Sequence, residues 1–340
     1  VTAPIGQLTR ALSLDHLLSL TDRRGIFEHA EGVRPRLEHG YCVDDVARGL
    51  LVAVRETQQT ARVAVITETY LRFLEAAIGA RGRSHNRMST AGTWTDKPAV
   101  GDWWGRSLWA LGTAAVRAPL GLTRGRAVRA FLSLARKRSP HRRAMVFAAL
   151  GAAELVSAGS SEPSVRLLLR EALADLPLSS PGWHWPEDRL RYGNASLAEA
   201  LIHGGNALGI DSITTRGLRA LDALLDIEMT GGHLSVTGTD GRAPGESAAQ
   251  FDQQPIEVAA IADAAARAYD VTGDSRWLPP VRASWAWFLG DNDAGVPMVD
   301  LVTGAGFDGL QREGRNDNRG AESTLAAIST NQQARRLGQL

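Results

Sequence analysis

One cysteine, Cys42, stands in a chain of 340 residues. That excludes an intramolecular disulfide and a structural zinc cluster of thiolates. Lysine is nearly missing as well. Lys97 and Lys137 are the only two among 38 basic residues, a bias that suits a GC-rich genome more than any physical demand. Neither sign of charge is in excess: the formal net charge is +1, which gives no support for a nucleic-acid or membrane-surface partner. No apolar run is long enough to span a bilayer. The opening VTAPIGQLTRALSL lacks the charged start and long apolar run of a secretory signal, so a reducing bacterial cytoplasm is the expected location. HExxH, P-loop and GxSxG patterns are absent, and neither a metal nor a cofactor is expected. Strand-like alternation is scarce.

What remains is helical. A hydrophobic share of 44% against 22% charged residues can bury a large core. Apolar residues recur at three/four spacing in segments such as RVAVITETYLRFLEAAIGA and PIEVAAIADAAARAYDVTG. The pattern predicts helices near 8–21, 43–57, 61–80, 102–117, 123–137, 141–158, 163–177, 194–208, 211–229, 254–273, 276–290 and 320–336. Abundant alanine favours helix and lets helices approach closely.

The connections carry more information than the helices. Turns after even-numbered helices are short, as in TQQ at 57–59, GI at 209–210 and GD at 273–274. Segments after odd-numbered helices are long: 22–42, 81–101, 178–193, 230–253 and 291–319, the one exception lying around Ser139 and Pro140. Long connections in compact domains are usually functional. Six helical hairpins in a ring would gather them at one end, so the expected fold is all-α, an (α/α)6 barrel in one domain over 1–340. Its site is expected at the rim bearing the long loops, where helix N-termini favour carboxylates and hydroxyl-rich ligands.

Acidic residues fall where that arrangement needs them. Asp44 and Asp45 open the second helix, Asp102 the fourth, Asp252 and Glu257 the tenth and Glu322 the twelfth, while Glu187 and Asp188 precede the eighth. Helix starts favour acidic residues in any protein, so capping competes with function at each position. Trp94, Trp103, Trp104, Trp183 and Trp185 lie in or beside the long segments and suit the apolar faces of sugar rings, although packing of the loops onto the barrel explains such tryptophans equally well. Trp109, Trp277, Trp285 and Trp287 sit within helices and are expected in the core.

In DDVAR, a diphosphate-binding DDxxD would need a third aspartate where Arg48 stands, so a magnesium site is not expected. Asp44 can pair with Arg48 at i+4 and Asp45 at i+3. Consecutive helical residues point about 100° apart, so at most one of the two aspartates should face a reactive centre squarely. GAGFDG at 304–309 matches GxGxxG outside any βαβ unit and is discarded. DNDAG at 291–295 reads as a turn, and the basic run RKRSPHRR at 136–143 as a solvated turn. His39 and His184 lie in long loops, within reach of a ligand there. Cys42 reads as packing, not as a nucleophile.

Carboxylates around an aromatic-lined cavity fit glycoside hydrolysis. One carboxylic acid protonates the leaving oxygen and one carboxylate activates water or attacks carbon, at roughly 6.5–9.5 Å separation for inversion and about 5–5.5 Å for retention. Groups on different inner helices suit the longer separation and hence inversion. The expected pair is Glu257 with Asp44 or Asp45. Glu257 is flanked by apolar Ile256 and Val258, where desolvation suits a general acid. The aspartates sit beside Arg48 and a helix N-terminus, which suits a base. Asp102, Asp252 and Glu322 are alternates, and Asp102 with Arg106 at i+4 reads equally well as an ion pair positioning substrate. Tyr41, Arg48, Asp188, Gln253, Gln254 and Asn318 complete the expected binding set with the loop tryptophans.

HGYCVDDVARGL, GDWWGRSLWALG, WHWPEDRLRYGNASLAEAL, FDQQPIEV, WFLGDND and DGLQREGRNDNRGAEST, spread from about residue 39 to 324, resemble the signature blocks of bacterial (α/α)6-barrel proteins associated with glycosyltransferases and mannoside metabolism. The mycobacterial methylmannose polysaccharide hydrolases, which are endo-α-1,4-mannosidases, are among these. The resemblance implies a partly O-methylated α-1,4-mannan as a cytoplasmic substrate, cut within the chain into oligomannosides that prime new synthesis. Pro186 in WHWPED departs from the phenylalanine that many relatives carry, which touches the local loop shape and not the class. O-methyl groups add apolar area worth burying against tryptophan. An epimerase or isomerase on a related barrel would use histidines at the barrel centre. A polysaccharide lyase would need a uronic acid substrate, and a non-catalytic glycan-binding module would explain the aromatics but not the acids. Oligomeric state is open.

Overall fold

The computed structural model describes residues 11–174, 176, 185–229, 231–246 and 248–340. Among these, twelve α-helices run in chain order: Asp15–Ser19 (α1), Val43–Arg55 (α2), Ala61–Ala77 (α3), Asp102–Arg117 (α4), Gly121–Leu134 (α5), Arg142–Ser157 (α6), Pro163–Ala174 (α7), Asn194–Leu208 (α8), Asp211–Glu228 (α9), Pro255–Thr272 (α10), Leu278–Leu289 (α11) and Ala321–Arg336 (α12). The fold is all-α, an (α/α)6 barrel. Each even-numbered helix packs on the next, and α12 closes the ring on α2. Sequence pattern explains which helices lie inside. In α7, burial falls on Val165, Leu168, Leu169, Ala172 and Leu173, a single stripe at i, i+3, i+4, i+7 and i+8. In α6 it covers every position from Arg143 to Val156. A helix apolar or small on all sides belongs in the inner ring, and a striped one in the outer ring.

The tightest inner contact needs glycine. A Cβ added at Gly151 of α6 would collide with the backbone carbonyl of Leu108 in α4, and one at Gly112 with that of Gly151. The two backbones touch because neither position has a side chain.

The long segments zip to one another at the N-terminal ends of the inner helices. Strand β1 (Tyr41–Cys42) pairs antiparallel with β2 (Arg87–Met88), joining the segment before α2 to that before α4. Leu190 bridges Arg242, and Gln253 bridges Leu310. Arg319 N–H donates to Gly32 O at 3.0 Å and Ala321 N–H to Glu28 O at 3.0 Å, which returns the circle to its start. A collar of loops therefore surrounds the mouth, and the short turns lie at the other end.

The sequence pattern overstated the first helix, expected over 8–21. Among the described residues helix is confined to Asp15–Ser19, because a bridge from Thr21 to Ile26 turns the chain back and Leu12 N–H is held by Asn331 Oδ1 at 3.1 Å. No helix among the described residues is long and apolar enough to cross a membrane.

Candidate active site

The first turns of α2, α4 and α12 surround a cleft of about 370 Å³ lined by Asp44, Asp45, Asp102, Trp103 and Glu322, together with Glu28, His29, Asn86, Arg87 and Asp308 from the loops. Arg48 organises its floor. The guanidinium reaches Asp45 Oδ1 at 2.6 Å, Asp44 Oδ2 at 2.9 Å and Glu322 Oε2 at 2.6 Å. Burial alone would lower its proton affinity, but Asp44, Glu322 and Asp45 outweigh that and hold it above the ordinary arginine range. Arg106 sits 3.1 Å from Asp44 Oδ1, and its Cζ lies over the Phe147 ring, 3.9 Å from the centroid. Burial and the neighbouring Arg48 charge push Arg106 below its usual range, so the two guanidiniums are held together by the carboxylate between them.

The two adjacent aspartates differ in environment. Asp45 is almost fully buried, and burial pushes its carboxyl up to about 8, with Arg48 pulling the other way. Asp44 keeps about 20% of its side chain exposed to the cleft. Its Oδ1 accepts no hydrogen bond from the described residues despite being buried, and the Nε atoms of Arg48 and Arg106 are likewise unpaired. Arg106 Nε and Asp44 Oδ1 are 3.1 Å apart as an ion pair but off the line of a hydrogen bond, so the Asp44 oxygen keeps accepting capacity for a polar ligand.

The structure does not bring Glu257 into this lining. It lies on the same rim, in the first turn of α10, two places round the ring from α2. Its Oε1 accepts from Gly193 N–H at 2.5 Å and its Oε2 from Asn194 N–H at 3.2 Å, at the start of α8. Burial holds its carboxyl above the ordinary glutamate range against those two amides. The carboxylate thus caps a neighbouring helix, which the flanking apolar residues gave no means of foreseeing.

Several expected binding residues have other work. Tyr41 is buried, stacks on Phe27 and donates to Asp22 Oδ2 at 2.7 Å. Trp104 is buried in the core and donates to Gly82 O, Trp185 is buried, and Trp94 stacks on His85. Trp183 and His184 lie outside the described residues. Among the described residues Trp103 is the tryptophan that lines the cleft, its Nε1 donating to Ser84 O at 2.9 Å. Among the described residues the wall of the cleft is acidic where an aromatic one was expected, because Trp94, Trp104 and Trp185 pack under the loops. Gln253 is buried between Asp293 Oδ2, at 2.5 Å, and Trp287 Nε1, at 3.1 Å. Gln254 is the N-cap residue of α10 and makes no side-chain capping bond. Asp252 is exposed, and Asp188 is exposed and paired with Arg191. Asn318 accepts from Gly32 N–H, tying two loops. The expected Asp102–Arg106 ion pair gives way to two others: Asp102 accepts from Tyr192 O–H at 2.8 Å while Arg106 goes to Asp44. The run at 136–143 is not wholly solvated either, since Arg143 is buried against Glu187 and Tyr192 O. Trp109, Trp277, Trp285 and Trp287 are buried in the core as expected.

Sequence reasoning missed Glu28, Arg87, Asp308 and Tyr192, which come from loops and carry no motif spacing. The discarded GAGFDG did hold a signal. Asp308 Oδ1 accepts from Gly320 N–H at 2.6 Å and Ser323 O–H at 2.5 Å, fixing the start of α12 beside Glu322. Glu28, Cys42 and Asp45 bring a ligand atom each to within 4.8 Å of one another. Glu28 already pairs with Arg87, Cys42 donates to Asn86 Oδ1 and Asp45 holds Arg48, so each has a partner within the protein. Burial raises the Cys42 thiol well above its usual range, which agrees with a packing role.

No protein-family model matches the chain, and no curated protein matches it by sequence. Solved structures do match in fold. A sugar epimerase from a ruminal bacterium superposes with a TM-score of 0.73 at 13% identity, covering 96% of this chain and 95% of its own. A D-mannose isomerase gives 0.72 at 13%, covering 99% and 100%. The GH76 α-mannanase of Bacteroides thetaiotaomicron gives 0.65 at 8%, covering 94% and 92%. At such identities the likeness is one of fold, and that fold is the (α/α)6 barrel.

Proposed function

We propose that the chain is a glycoside hydrolase of the bacterial cytoplasm, cutting internal α-1,4-mannosidic bonds of an O-methylated mannan. The observation that carries the hydrolase reading is the Asp44 carboxylate, about 20% exposed and set beside Asp45 and Glu322 at the floor of an acidic cleft. A water there gives a proton to Asp44, and its oxygen attacks the anomeric carbon. The glycosidic C–O bond breaks, and the leaving oxygen takes the proton of a carboxylic acid. Glu257 is the donor in this reading, since burial favours its protonated form, as a general acid needs. Donation requires its two amide contacts at the start of α8 to open. Asp45 is the second donor candidate, because it lines the cleft itself and burial pushes it up to about 8. Attack and departure on opposite faces give inversion. Mannan and its methylation rest on the sequence blocks described above.

An epimerase is the competing reading, supported by the fold of the sugar epimerase and the mannose isomerase. Against it, the cleft is lined by the carboxylates of Glu28, Asp44, Asp45, Asp102, Asp308 and Glu322 and, among the described residues, by the single histidine His29, which suits hydrolysis by carboxylates better than a histidine acid–base pair. Chromatography of α-1,4-mannan oligosaccharides incubated with the protein decides. Shortened reducing fragments support hydrolysis. A changed monosaccharide means an epimerase, an unsaturated product a lyase, and binding without change a glycan-binding module. Each of those three outcomes ends the hydrolase reading.

A further inference from the structure

The barrel has a second polar cavity at its opposite end, of about 380 Å³, as roomy as the rim cleft. Arg55, Arg117, Arg267, Glu199, Asp263 and Gln332 are among the residues lining it. Between it and the cleft the barrel axis narrows to about 40 Å³ among Leu51, Val52, Trp109 and Leu325, with Asp263 at this cavity's side and Arg48 at the cleft's. Most of its charges are matched. Arg55 holds Asp263 at 2.9 Å, and Arg267 holds Glu154 at 2.6 Å. Arg117 is not so well matched, since its nearest carboxylate, Glu154, is 4.0 Å away. Burial and the like charges of Arg55, Arg267 and Arg336 hold Arg117 below the ordinary arginine range, and Glu154 offsets them only in part.

Three buried polar atoms there have no hydrogen-bond partner among the described residues: Glu199 Oε2, Gln332 Oε1 and Arg267 Nε. Glu199 is 1% exposed and Gln332 7% exposed. A ligand that satisfies them must offer hydroxyls to the two oxygens and an acceptor to the guanidiniums. Charge-assisted bonds to arginine favour an anion for the latter part.

We propose that this cavity binds a small hydroxylated anion, with its negative group on Arg117 and Arg267 and its hydroxyls on Glu199 and Gln332. The site is independent of the chemistry at the rim. The test is calorimetric titration of the full chain with inorganic phosphate and with a hexose 6-phosphate, at matched ionic strength. Saturable binding of both, tighter for the hexose phosphate, is expected. Arg117→Gln should weaken it at least tenfold, while the surface variant Arg62→Gln and the rim variant Asp44→Asn should bind as the wild type does. Arg117 is about 41% exposed and loosely paired, so its variant should melt with the wild type. Absence of saturable binding, unchanged affinity in Arg117→Gln, or loss in Asp44→Asn would each overturn the proposal. Equal affinity for the two probes would remove the hydroxyl contacts from it.

Discussion

Glu257→Gln separates two roles that the geometry assigns to one side chain. The glutamate accepts two backbone N–H groups, one on each oxygen, at the start of α8. Glutamine has one carbonyl oxygen and turns an NH2 group towards the second amide. The variant therefore loses a hydrogen bond to a group that can carry charge, about 1.5–3 kcal/mol, and leaves a buried N–H unpaired, about 1–3 kcal/mol. Because the two contributions share a side chain they overlap, and a net loss of about 2–4 kcal/mol is expected. Unfolding entropy scales with length, and for 340 residues 1 kcal/mol shifts Tm by about 1.4 °C, so Tm should fall by about 3–6 °C. Calorimetric melting measures this, and an unchanged Tm would show that the amide contacts contribute nothing. Turnover of an α-1,4-mannan oligosaccharide, measured well below the lowered Tm, reads the other role. A lost proton donor should lower kcat by about 10²–10⁴. Near-normal turnover would sink the donor assignment and pass it to Asp45, while leaving the cap intact.

Asp45→Asn tests the buried aspartate by pH. A carboxyl raised to about 8 from the ordinary 3.8 keeps its proton in the folded chain and loses it in the unfolded one across that window, so its contribution to stability is full below about 4 and is lost as pH rises towards 8. Urea midpoints should fall over that range with up to about 1.4 kcal/mol per pH unit from this group, and the variant should flatten the slope by that share; an unaltered slope refutes the assignment. Gly151→Ala places a methyl group against the Leu108 carbonyl and should cost about 1–3 kcal/mol in denaturant melts, with no loss if α4 and α6 are further apart than described. Trp103→Ala should raise KM with little change in Tm, whereas Trp185→Ala, in the core, should lose about 3–5 kcal/mol; a reversal of those two readouts would move the cleft.

Much of the architecture was legible because it rests on periodicity. Eleven of the twelve helices lie close to where three/four spacing put them, and the alternation of long and short connections announced a ring with one elaborated mouth. The exception, the first helix, failed where a short-range bridge and a contact to Asn331 overrode local propensity. Asp44, Asp45, Asp102 and Glu322, singled out by their position at alternate helix starts, line one cleft. The aromatic contacts were less legible, since a tryptophan in or beside a long segment looks the same whether its ring lines the cleft, as that of Trp103 does, or the core, as those of Trp104 and Trp185 do.

Residue order alone thus settled the helical ring and the end at which its acids gather, because both follow from spacing within a few turns of chain. Which acid meets which base was decided in three dimensions. Arg48 joins Asp45 to Glu322, far apart in the chain, and Glu257 is drawn to the amides of α8. Buried charges and buried N–H groups must find partners wherever the packed barrel places them, and no local pattern encodes that choice.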